Sequence, residues 1–296
     1  MTPMPSLRLS LYLGCTVATD EYAYELSTLS VLPKLGVELS YLEGASCCGS
    51  PLQSVSMRSF AYLALRNLAL ADATGLDLLT LCPGCHLSLH EAAHYAKLSP
   101  KLREGLEPLL GNEGLRYRGE AKVWHVVDLL HDRVGLDSVR SAVSKPLKGL
   151  TLATHVGCHA IRPSRLPRVD DAERPLKLDR LVEALGARVV DYPEKLDCCG
   201  AGFLLSNPQA GLTVAGLKVK ALKALGVDGV VVACPLCHKM LGQKQQAASQ
   251  LVGAELDVPV VYYTQLLGLA MGEDERALGL MLNLSPVDRL LEKLKS

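Results

Sequence analysis

Short apolar segments alternate along the chain with longer stretches of helical periodicity. Residues 7–14 alternate apolar and polar side chains, as a half-buried strand does, whereas residues 230–234 form a β-branched run typical of a parallel strand covered on both faces. The stretches 21–36 and 54–75 are amphipathic with helical periodicity, and the first is expected to stop at Gly36 in a left-handed conformation. This alternation of strands and helices predicts an α/β fold with mostly parallel sheets.

The pattern occurs twice, and the cysteines repeat with it. Their spacing is C-x31-CC-x33-C-x2-C in the first copy and C-x39-CC-x34-C-x2-C in the second, with no cysteine left over. The ten positions are Cys15, Cys47, Cys48, Cys82, Cys85, Cys158, Cys198, Cys199, Cys234 and Cys237. Two tandem copies, about 7–143 and 148–296, predict two pseudo-symmetric Rossmann-like units, which we place at residues 1–146 and 147–296. The charged stretch 137–149 separates them.

Each group of cysteines is predicted to follow strands. Cys15, the adjacent pair Cys47 and Cys48, and Cys82 each come just after a predicted strand, and the second copy repeats this arrangement. In parallel sheets, ligands gather at the carboxyl ends of the strands. We therefore expect five thiols to converge on one edge of each sheet, with one site in each copy.

Composition and charge exclude several classes of function. The 296 residues are 49% hydrophobic, and 31 basic residues balance 31 acidic ones, which gives no electrostatic case for a nucleic-acid or membrane partner. The start of the chain lacks the basic region of a signal peptide. Residues 262–272 are too short for a transmembrane segment and are expected to form a core helix. We expect a cytoplasmic protein, in which ten reduced cysteines indicate metal or redox chemistry.

The number of thiols in each copy narrows the choice of metal. A structural zinc ion takes four ligands, whereas each copy offers five sulfurs. The tight cysteine run of ferredoxin-type cubane clusters is absent. Two adjacent thiols suit an opened or rearranged iron–sulfur cluster in which one thiolate bridges two irons, with Gly49 and Gly200 letting the backbone approach it closely. A zinc-stabilised interaction module without redox function stays open as an alternative.

The doubled CCG pattern resembles that of the cysteine-rich CCG domain family over nearly the whole chain. Within this family, residues 157–164 (GCHAIRPS), 234–241 (CPLCHKML) and 264–272 (TQLLGLAMG) are most similar to the B-type subunit of heterodisulfide reductase and its bacterial homologues. The iron–sulfur subunits of glycolate oxidase-like and lactate-utilisation systems share the CCG pattern. An electron relay for a flavin dehydrogenase is therefore a second candidate function.

The resemblance to heterodisulfide reductase implies a specific chemistry. The five cysteines of each copy would bind a noncubane [4Fe-4S] cluster, and the two clusters would face each other across a substrate cavity. The protein would be an oxidoreductase that reduces or forms a disulfide or a protein-bound sulfur substrate in one-electron steps, as in sulfur-oxidising relatives. The implied partners are a ferredoxin-like C-type subunit with cubane clusters and a flavin-containing A-type subunit.

Polar side chains near the cysteines are candidates for further roles. His159 and Arg162 follow Cys158, beside the substrate cavity that the resemblance implies, and are the catalytic candidates: the imidazole could supply a proton and the guanidinium could hold an anionic group. Arg165 could share the role of Arg162, and the alternative for both arginines is that they are charges of a loop without a role in binding. His86 and His238 directly follow the last cysteine of each copy and could hydrogen-bond a cluster sulfur.

A second group of histidines lies on one predicted helix. His86, His90 and His94 are four residues apart and therefore share a helix face. Such a face could bind a metal ion, but the sequence offers no fourth ligand nearby. We expect a solvated face.

Overall fold

Eight strands form the centre of the described part of the chain, four in each half. A computed structural model describes residues 7–295. The strands of the first half are β1 (Leu7–Tyr12), β2 (Val37–Tyr41), β3 (Asp77–Thr80) and β4 (Val123–His125). Those of the second half are β5 (Thr151–His155), β6 (Arg188–Val190), β7 (Gly229–Val232) and β8 (Val260–Tyr262). Below, the first half means residues 7–146 and the second half means residues 147–295.

Helices connect and cover the strands. In the first half they are α1 (Gly14–Thr19), α2 (Tyr22–Val31), α3 (Met57–Thr74), α4 (Pro83–Leu98), α5 (Pro100–Asn112), α6 (Val126–Asp128) and α7 (Leu136–Ser141). In the second half they are α8 (Cys158–Ile161), α9 (Lys177–Ala184), α10 (Pro208–Ala224), α11 (Pro235–His238), α12 (Gln245–Val252), α13 (Tyr263–Met271) and α14 (Asp288–Lys295). No helix in these described residues is long and apolar enough to cross a membrane.

Short 3₁₀ turns and two π-helical segments complete the secondary structure of the described residues. The 3₁₀ turns are Pro33–Leu35, Ser50–Leu52, Pro193–Leu196, Ala201–Phe203 and Leu280–Leu282. The π-helical segments are Leu129–Gly135 and Lys239–Gln243. Two of the 3₁₀ turns directly follow the paired cysteines, one in each half.

Each half contains one parallel sheet of four strands. The strand orders are β2-β1-β3-β4 and β6-β5-β7-β8, and every pairing is parallel. Leu9 on β1 pairs with Leu39 on one side and with Asp77 on the other. The predicted α/β fold of two similar units with parallel sheets is confirmed.

Local sequence signals determine where several elements begin and end. The helix predicted over 54–75 begins after Ser56, whose hydroxyl accepts a hydrogen bond from the Ser59 amide. Gly36 has the expected left-handed conformation, with φ of +75°, after the 3₁₀ turn that follows α2. The segment 262–272, expected to be a core helix, contains the buried helix α13.

A shared hydrophobic core joins the two halves. Helix α2 of the first half packs against α13 of the second. The buried rings of Tyr24 and Tyr262 stack with centroids 3.9 Å apart, and the hydroxyls of Ser27 and Thr264 form a buried hydrogen bond of 2.7 Å. A second apolar cluster, which includes Phe60, lies between α3 and α4 in the first half. The shared core fixes the orientation of one sheet relative to the other.

The stretch 137–149, which connects the two halves, packs against the second half. It begins within α7, which packs against α9. The backbone amides of Ser144 and Lys145 then donate to the Ala270 carbonyl at 2.9 and 2.8 Å. The division of the chain between residues 146 and 147 stays a prediction.

Candidate metal centres

The cysteines lie at the carboxyl ends of the parallel strands. The first site comprises Cys15 in α1 after β1, Cys47 and Cys48 in the loop after β2, and Cys82 and Cys85 at the start of α4 after β3. The second site comprises Cys158 at the start of α8, Cys198 and Cys199 after the turn that follows β6, and Cys234 and Cys237 at the start of α11. The structure thus gathers the residues of each copy as expected.

Hydrogen bonds between neighbouring thiols link four cysteines of the first site. Cys48 is buried, and hydrogen bonds from the thiols of Cys47 and Cys85 lower its pKa to about 3. The Cys85 thiol also contacts Cys82. Cys15 is exposed and borders a cleft of about 410 Å³ together with Cys47. The site is therefore buried on its α4 side and open on its α1 side.

The second site has a similar chain of contacts and is more enclosed. Hydrogen bonds from the thiols of Cys158 and Cys199 hold the pKa of Cys198 well below its usual range. Donation to Cys198 in turn raises the pKa of Cys199 to about 11. Cys237 contacts both Cys199 and Cys234. Each CC pair thus contains one thiol whose pKa is lowered by its neighbours, and a thiolate is the form that binds metals.

The two sites meet at the boundary between the halves. Cys82 and Cys234 are the N-cap residues of α4 and α11, and the Cys234 thiol is the main reason that the pKa of Cys82 lies far below its usual range. A Cβ atom placed on Gly84 would lie 3.5 Å from both the Cys82 Sγ and the His159 Nδ1. Side chains of both halves therefore converge at this point.

The spread of the sulfurs fits a cluster better than single ions. Among residues 7–295, the only three ligand atoms near enough to share one ion come from His155, Cys199 and Cys237, which lie within 4.8 Å of one another. The other thiols of these residues approach one another in pairs, and no three of them lie within 4.8 Å of one another. Thiolates are also the usual ligands of iron–sulfur clusters. The residues present therefore fit an iron–sulfur cluster at each site.

Glycines hold the cysteine loops close to their surroundings. Gly49 and Gly200, which follow the CC pairs, have φ of +81° and +86°. A Cβ on either residue would come within 3 Å of a carbonyl oxygen in the helix that follows, so these glycines allow a close backbone contact. Gly14 and Gly157 approach thiols more closely than Gly84 does, since a Cβ on Gly14 would lie 2.8 Å from the Cys85 Sγ and one on Gly157 would lie 3.4 Å from the Cys237 Sγ.

His86 and His238 occupy corresponding positions but have different environments. Both are buried. Within the described part of the chain, the Nδ1 atom of His86 has no hydrogen-bond partner, and burial holds the pKa of this imidazole well below its usual range. The ring nitrogens of His238 also lack a hydrogen bond of good geometry within the described residues, but its Nδ1 lies 2.8 Å from the carboxylate of Glu21, a buried residue of the first half. Both halves therefore have a buried histidine at this position, but the charged groups around the two histidines differ.

The expected solvated face of three histidines is wrong for His86 and His90. These two rings are 4.4 Å apart and line a cavity of about 320 Å³ next to Trp124 and Arg168. Burial and the neighbouring Arg168 guanidinium lower the pKa of His90 to about 4. Packing of α4 against the second half covers this face, which the helix pattern alone did not indicate.

The basic residues of the loop after Cys158 differ in their exposure to solvent. His159, Arg162 and Arg165 are exposed, and Arg162 donates to the Leu196 carbonyl at 3.4 Å. Arg168, which the sequence analysis did not single out, donates to the His159 carbonyl at 3.0 Å. Its buried Nε and Nη2 atoms have no hydrogen-bond partner among the residues that the structure describes. Its position in the same basic loop was the only available signal.

Two further residues beside the second site were also missed. His155 and Lys218 are almost fully buried, with the Lys218 Nζ 3.4 Å from the His155 Nδ1. The corresponding residues of the first half, by distance from the nearest cysteine of each copy, are Tyr12 and Asn67. A comparison of the two copies would have identified these positions, since each pair differs in ionisable character.

Comparison with protein families gives a match in both halves. The model of the CCG family, described as a cysteine-rich domain, matches residues 9–90 and 152–242. These two ranges contain all ten cysteines and repeat at the same place in each half. The repeat inferred from the spacing is thus the repeat of a known domain.

Two curated proteins are similar along almost their whole length. The B-type subunit of the ferredoxin/F(420)H(2)-dependent CoB-CoM heterodisulfide reductase of Methanosarcina acetivorans is 37% identical over 280 residues, which are 93% of this chain and 93% of that protein. The 8-methylmenaquinol:fumarate reductase membrane anchor subunit of Wolinella succinogenes is 31% identical over 278 residues, 94% of this chain and 96% of that protein.

A solved structure shares the fold. It is that of a hypothetical protein from Helicobacter pylori, with a TM-score of 0.75 and 18% sequence identity. The match covers 96% of this chain and 53% of that one, so this chain spans about half the length of the solved chain. At this identity the likeness supports the architecture alone.

Proposed function

This chain belongs to the cysteine-rich CCG domain family, with relatives named as the B-type subunits of heterodisulfide reductases, and on that premise we propose that it is the iron–sulfur catalytic subunit of a heterodisulfide reductase-like complex. Its substrate is a disulfide or a related sulfur compound, which it reduces or, in the reverse direction, forms. The observation that carries this proposal is the meeting of two five-cysteine sites at Cys82 and Cys234. Two redox sites this close can act on the two sulfurs of one bond.

The ligands of the proposed clusters are the ten cysteines. Cys15, Cys47, Cys48, Cys82 and Cys85 hold one [4Fe-4S] cluster of noncubane type, and Cys158, Cys198, Cys199, Cys234 and Cys237 hold the other. When bound, the two clusters would supply one electron each. Cleavage of one disulfide consumes two electrons and two protons and releases two thiols, so the number of sites matches the number of electrons.

The chain's own side chains bind the substrate and handle its protons. In this proposal Arg162 holds an anionic group of the substrate, since its guanidinium is exposed and makes one hydrogen bond, to the Leu196 carbonyl. His159 is exposed at the boundary of the halves and gives a proton to a leaving thiolate. Its position near Gly84 places it beside Cys82 of the first site as well as Cys158 of its own.

The electrons come from partner subunits. All ten cysteines are assigned to the two sites, so cubane clusters belong to a ferredoxin-like C-type subunit, and the flavin belongs to an A-type subunit. A docking surface is supported by Phe203 and Leu205, which follow the CC pair of the second site and are 47% and 97% exposed. We place the complex in the cytoplasm, where ten thiols stay reduced.

Metal analysis combined with an activity assay tests the proposal. Protein purified without oxygen should contain iron with an equal amount of acid-labile sulfide, and with a chemical reductant it should convert a small disulfide to two thiols. The group of His155, Cys199 and Cys237 makes zinc the alternative to exclude. Stoichiometric zinc without sulfide would overturn the iron–sulfur proposal. Iron and sulfide without disulfide cleavage would leave the chain as an electron relay.

A further inference from the structure

A buried lysine lies behind the CC pair of the second site. Lys218 on α10 is 2% exposed, and its Nζ donates to the carbonyls of Glu194 and Asp197 at 2.5 and 2.7 Å. Among residues 7–295, no carboxylate oxygen lies within ion-pair distance of this Nζ. The positive charge of Lys218 therefore acts on the thiols Cys198 and Cys199, and the Asp197 carboxylate offsets it only from beyond ion-pair distance.

His155 connects this lysine to the thiols. Its Nδ1 lies 3.4 Å from the Lys218 Nζ and 3.3 Å from the Lys195 carbonyl. The two contacts require opposite roles of Nδ1, since an ammonium group can only donate and a carbonyl can only accept. With a charged Lys218 the Nδ1 atom accepts from Nζ, its contact with the Lys195 carbonyl is not a hydrogen bond, and the ring proton lies on Nε2. The Nε2 atom is buried and has no partner among residues 7–295, and a ring nitrogen of His155 lies within 4.8 Å of the Cys199 and Cys237 sulfurs. His155 is therefore a buried N–H donor next to the sulfurs of the second site and makes no hydrogen bond to another described residue through this group.

The first half makes the same structural contacts with neutral groups. Asn67, the counterpart of Lys218, donates to the carbonyls of Ser46 and Cys47, both at 3.2 Å. Tyr12, the counterpart of His155, donates from its hydroxyl to the Ser46 carbonyl at 2.8 Å. Both halves thus hold the loop before the CC pair by side-chain donors. An amide is sufficient for that purpose, so the charge of Lys218 has another consequence.

We propose that Lys218 and His155 make the centre at the second site the more easily reduced of the two, so that it accepts the first electron. The proposal rests on the proposed function, which supplies the clusters. A reduced cluster carries more negative charge, and its potential rises with nearby positive charge and with hydrogen bonds to its sulfurs. Lys218 acts at short range in a buried environment, where charges interact more strongly than in water.

Solvent works in the opposite direction, because water also stabilises a reduced cluster. Cys15 of the first site is exposed, whereas Cys158 is only partly so. Water at Cys15 reaches one edge of the first site, while Cys48, Cys82 and Cys85 stay buried. A full charge and an N–H group held inside the second site therefore decide the order of reduction.

The test is an anaerobic redox titration of the intact protein followed by EPR. In the parent protein, two reduction steps are expected, and a Cys199→Ala variant, which retains only the first site, assigns the step at lower potential to that site. Lys218→Asn, which installs the residue of the first half, should lower the potential of the other step and bring the two steps together. Lys218→Arg, which keeps the charge, should leave them apart.

A second substitution tests the proposal if the Lys218 variants fail to fold or lose their cluster. His155→Phe removes the N–H group and keeps Lys218, so the step of the second site should again move to lower potential. Equal potentials for the two sites in the parent protein, or variants with full iron and unshifted steps, would overturn the inference. Parent protein without iron or sulfide would instead overturn the proposed function, which separates the two failures.

Discussion

The helices that follow the two C-x2-C motifs differ more than the motifs themselves. After Cys85 the α-helix α4 continues to Leu98, whereas after Cys237 the helix α11 ends at His238 and becomes the π-helical segment Lys239–Gln243. In the first half, the histidine of this helix lines a cavity next to Trp124 and Arg168. In the second half, the corresponding histidine contacts Glu21.

The comparison shows which features the duplicated fold retains. Five thiols at three strand ends, and a side-chain donor behind each CC pair, are common to both halves. Charge, exposure and the partners of the buried histidines are not. The shared backbone thus builds two sites for the same kind of centre, and the side chains around them make the two centres unequal.

The largest expected effect tests whether each half builds its own site. Cys198→Ala should remove about half of the iron and leave the first site intact, because its ligands come from one copy. Cys48→Ala should have the reciprocal effect. Iron analysis and EPR of the two variants check this. Loss of all iron from either variant would show that the sites depend on each other through the contact of Cys82 and Cys234.

The next largest effect is expected on stability, when the Glu21 carboxylate beside His238 is removed. Glu21 accepts hydrogen bonds from the Tyr262 hydroxyl at 2.6 Å and the Gln243 amide at 2.7 Å, in addition to its contact with His238. Glu21→Ala leaves these groups without their partner, and the free energy of unfolding should fall by about 3–5 kcal/mol.

Urea denaturation of the iron-loaded protein measures this change. The matched control is Glu25→Ala, since Glu25 is a neighbouring carboxylate that accepts one hydrogen bond from Tyr41 at the surface. The control should cost at most about 1 kcal/mol. Equal effects of the two substitutions would mean that Glu21 does not link the halves as its contacts indicate.

The two halves also differ in the segment that follows their first cysteine, where the proposed substrate contacts lie. Residues 15–19 read CTVAT, whereas residues 158–162 read CHAIR, so only the second half supplies ionisable groups there. Arg162→Ala should weaken binding of an anionic disulfide by about 1.5–3 kcal/mol with both clusters intact. His159→Ala should lower kcat more than it raises KM, since its role is to supply a proton.

Binding of a neutral disulfide provides the control for Arg162. It should be unchanged in Arg162→Ala, and Arg165→Ala should have a smaller effect on the anionic substrate than Arg162→Ala. An equal loss for neutral and anionic substrates would assign Arg162 to the structure of the loop.

The smallest expected effect is on the pH dependence of stability and comes from His90, which lines the cavity of the first half. His90 has a pKa of about 4 in the folded protein and near 6.5 when unfolded, so the unfolded state binds the proton first as the pH falls. His90 therefore contributes nothing to pH dependence above about pH 7 and costs stability between about pH 6.5 and 4. His90→Gln should reduce the loss of unfolding free energy between pH 7 and 5 by about 1–2 kcal/mol. Urea denaturation at both pH values measures it, and an unchanged pH dependence would contradict the burial of this imidazole.

The positions of the cysteines could be predicted because they depend on local rules. The apolar strands, the left-handed Gly36 and the spacing of the ten cysteines together place the thiols at the strand ends, and the structure confirms the parallel sheets on which this depends. The repeat made the prediction stronger, since the same pattern had to work twice.

The environment of the histidines and of Lys218 could not be predicted in this way. His238 is more than two hundred residues from Glu21, and only the packing of α11 against the first half brings them together. Lys218 lies in an amphipathic helix, where a lysine ordinarily reaches solvent, and its burial depends on the loop that carries the second CC pair. Contacts of this kind are tertiary and leave no periodic signal in the sequence.

Titration of the reduced protein with a small anionic disulfide, followed by EPR without oxygen, most directly tests whether the two sites act together on one substrate. Because Cys82 and Cys234 bring the sites into contact, about one disulfide per chain should change the signals of both sites and appear as two thiols. A disulfide that leaves both signals unchanged, while the partner's electrons still pass through the protein, would contradict the account and make the chain a relay.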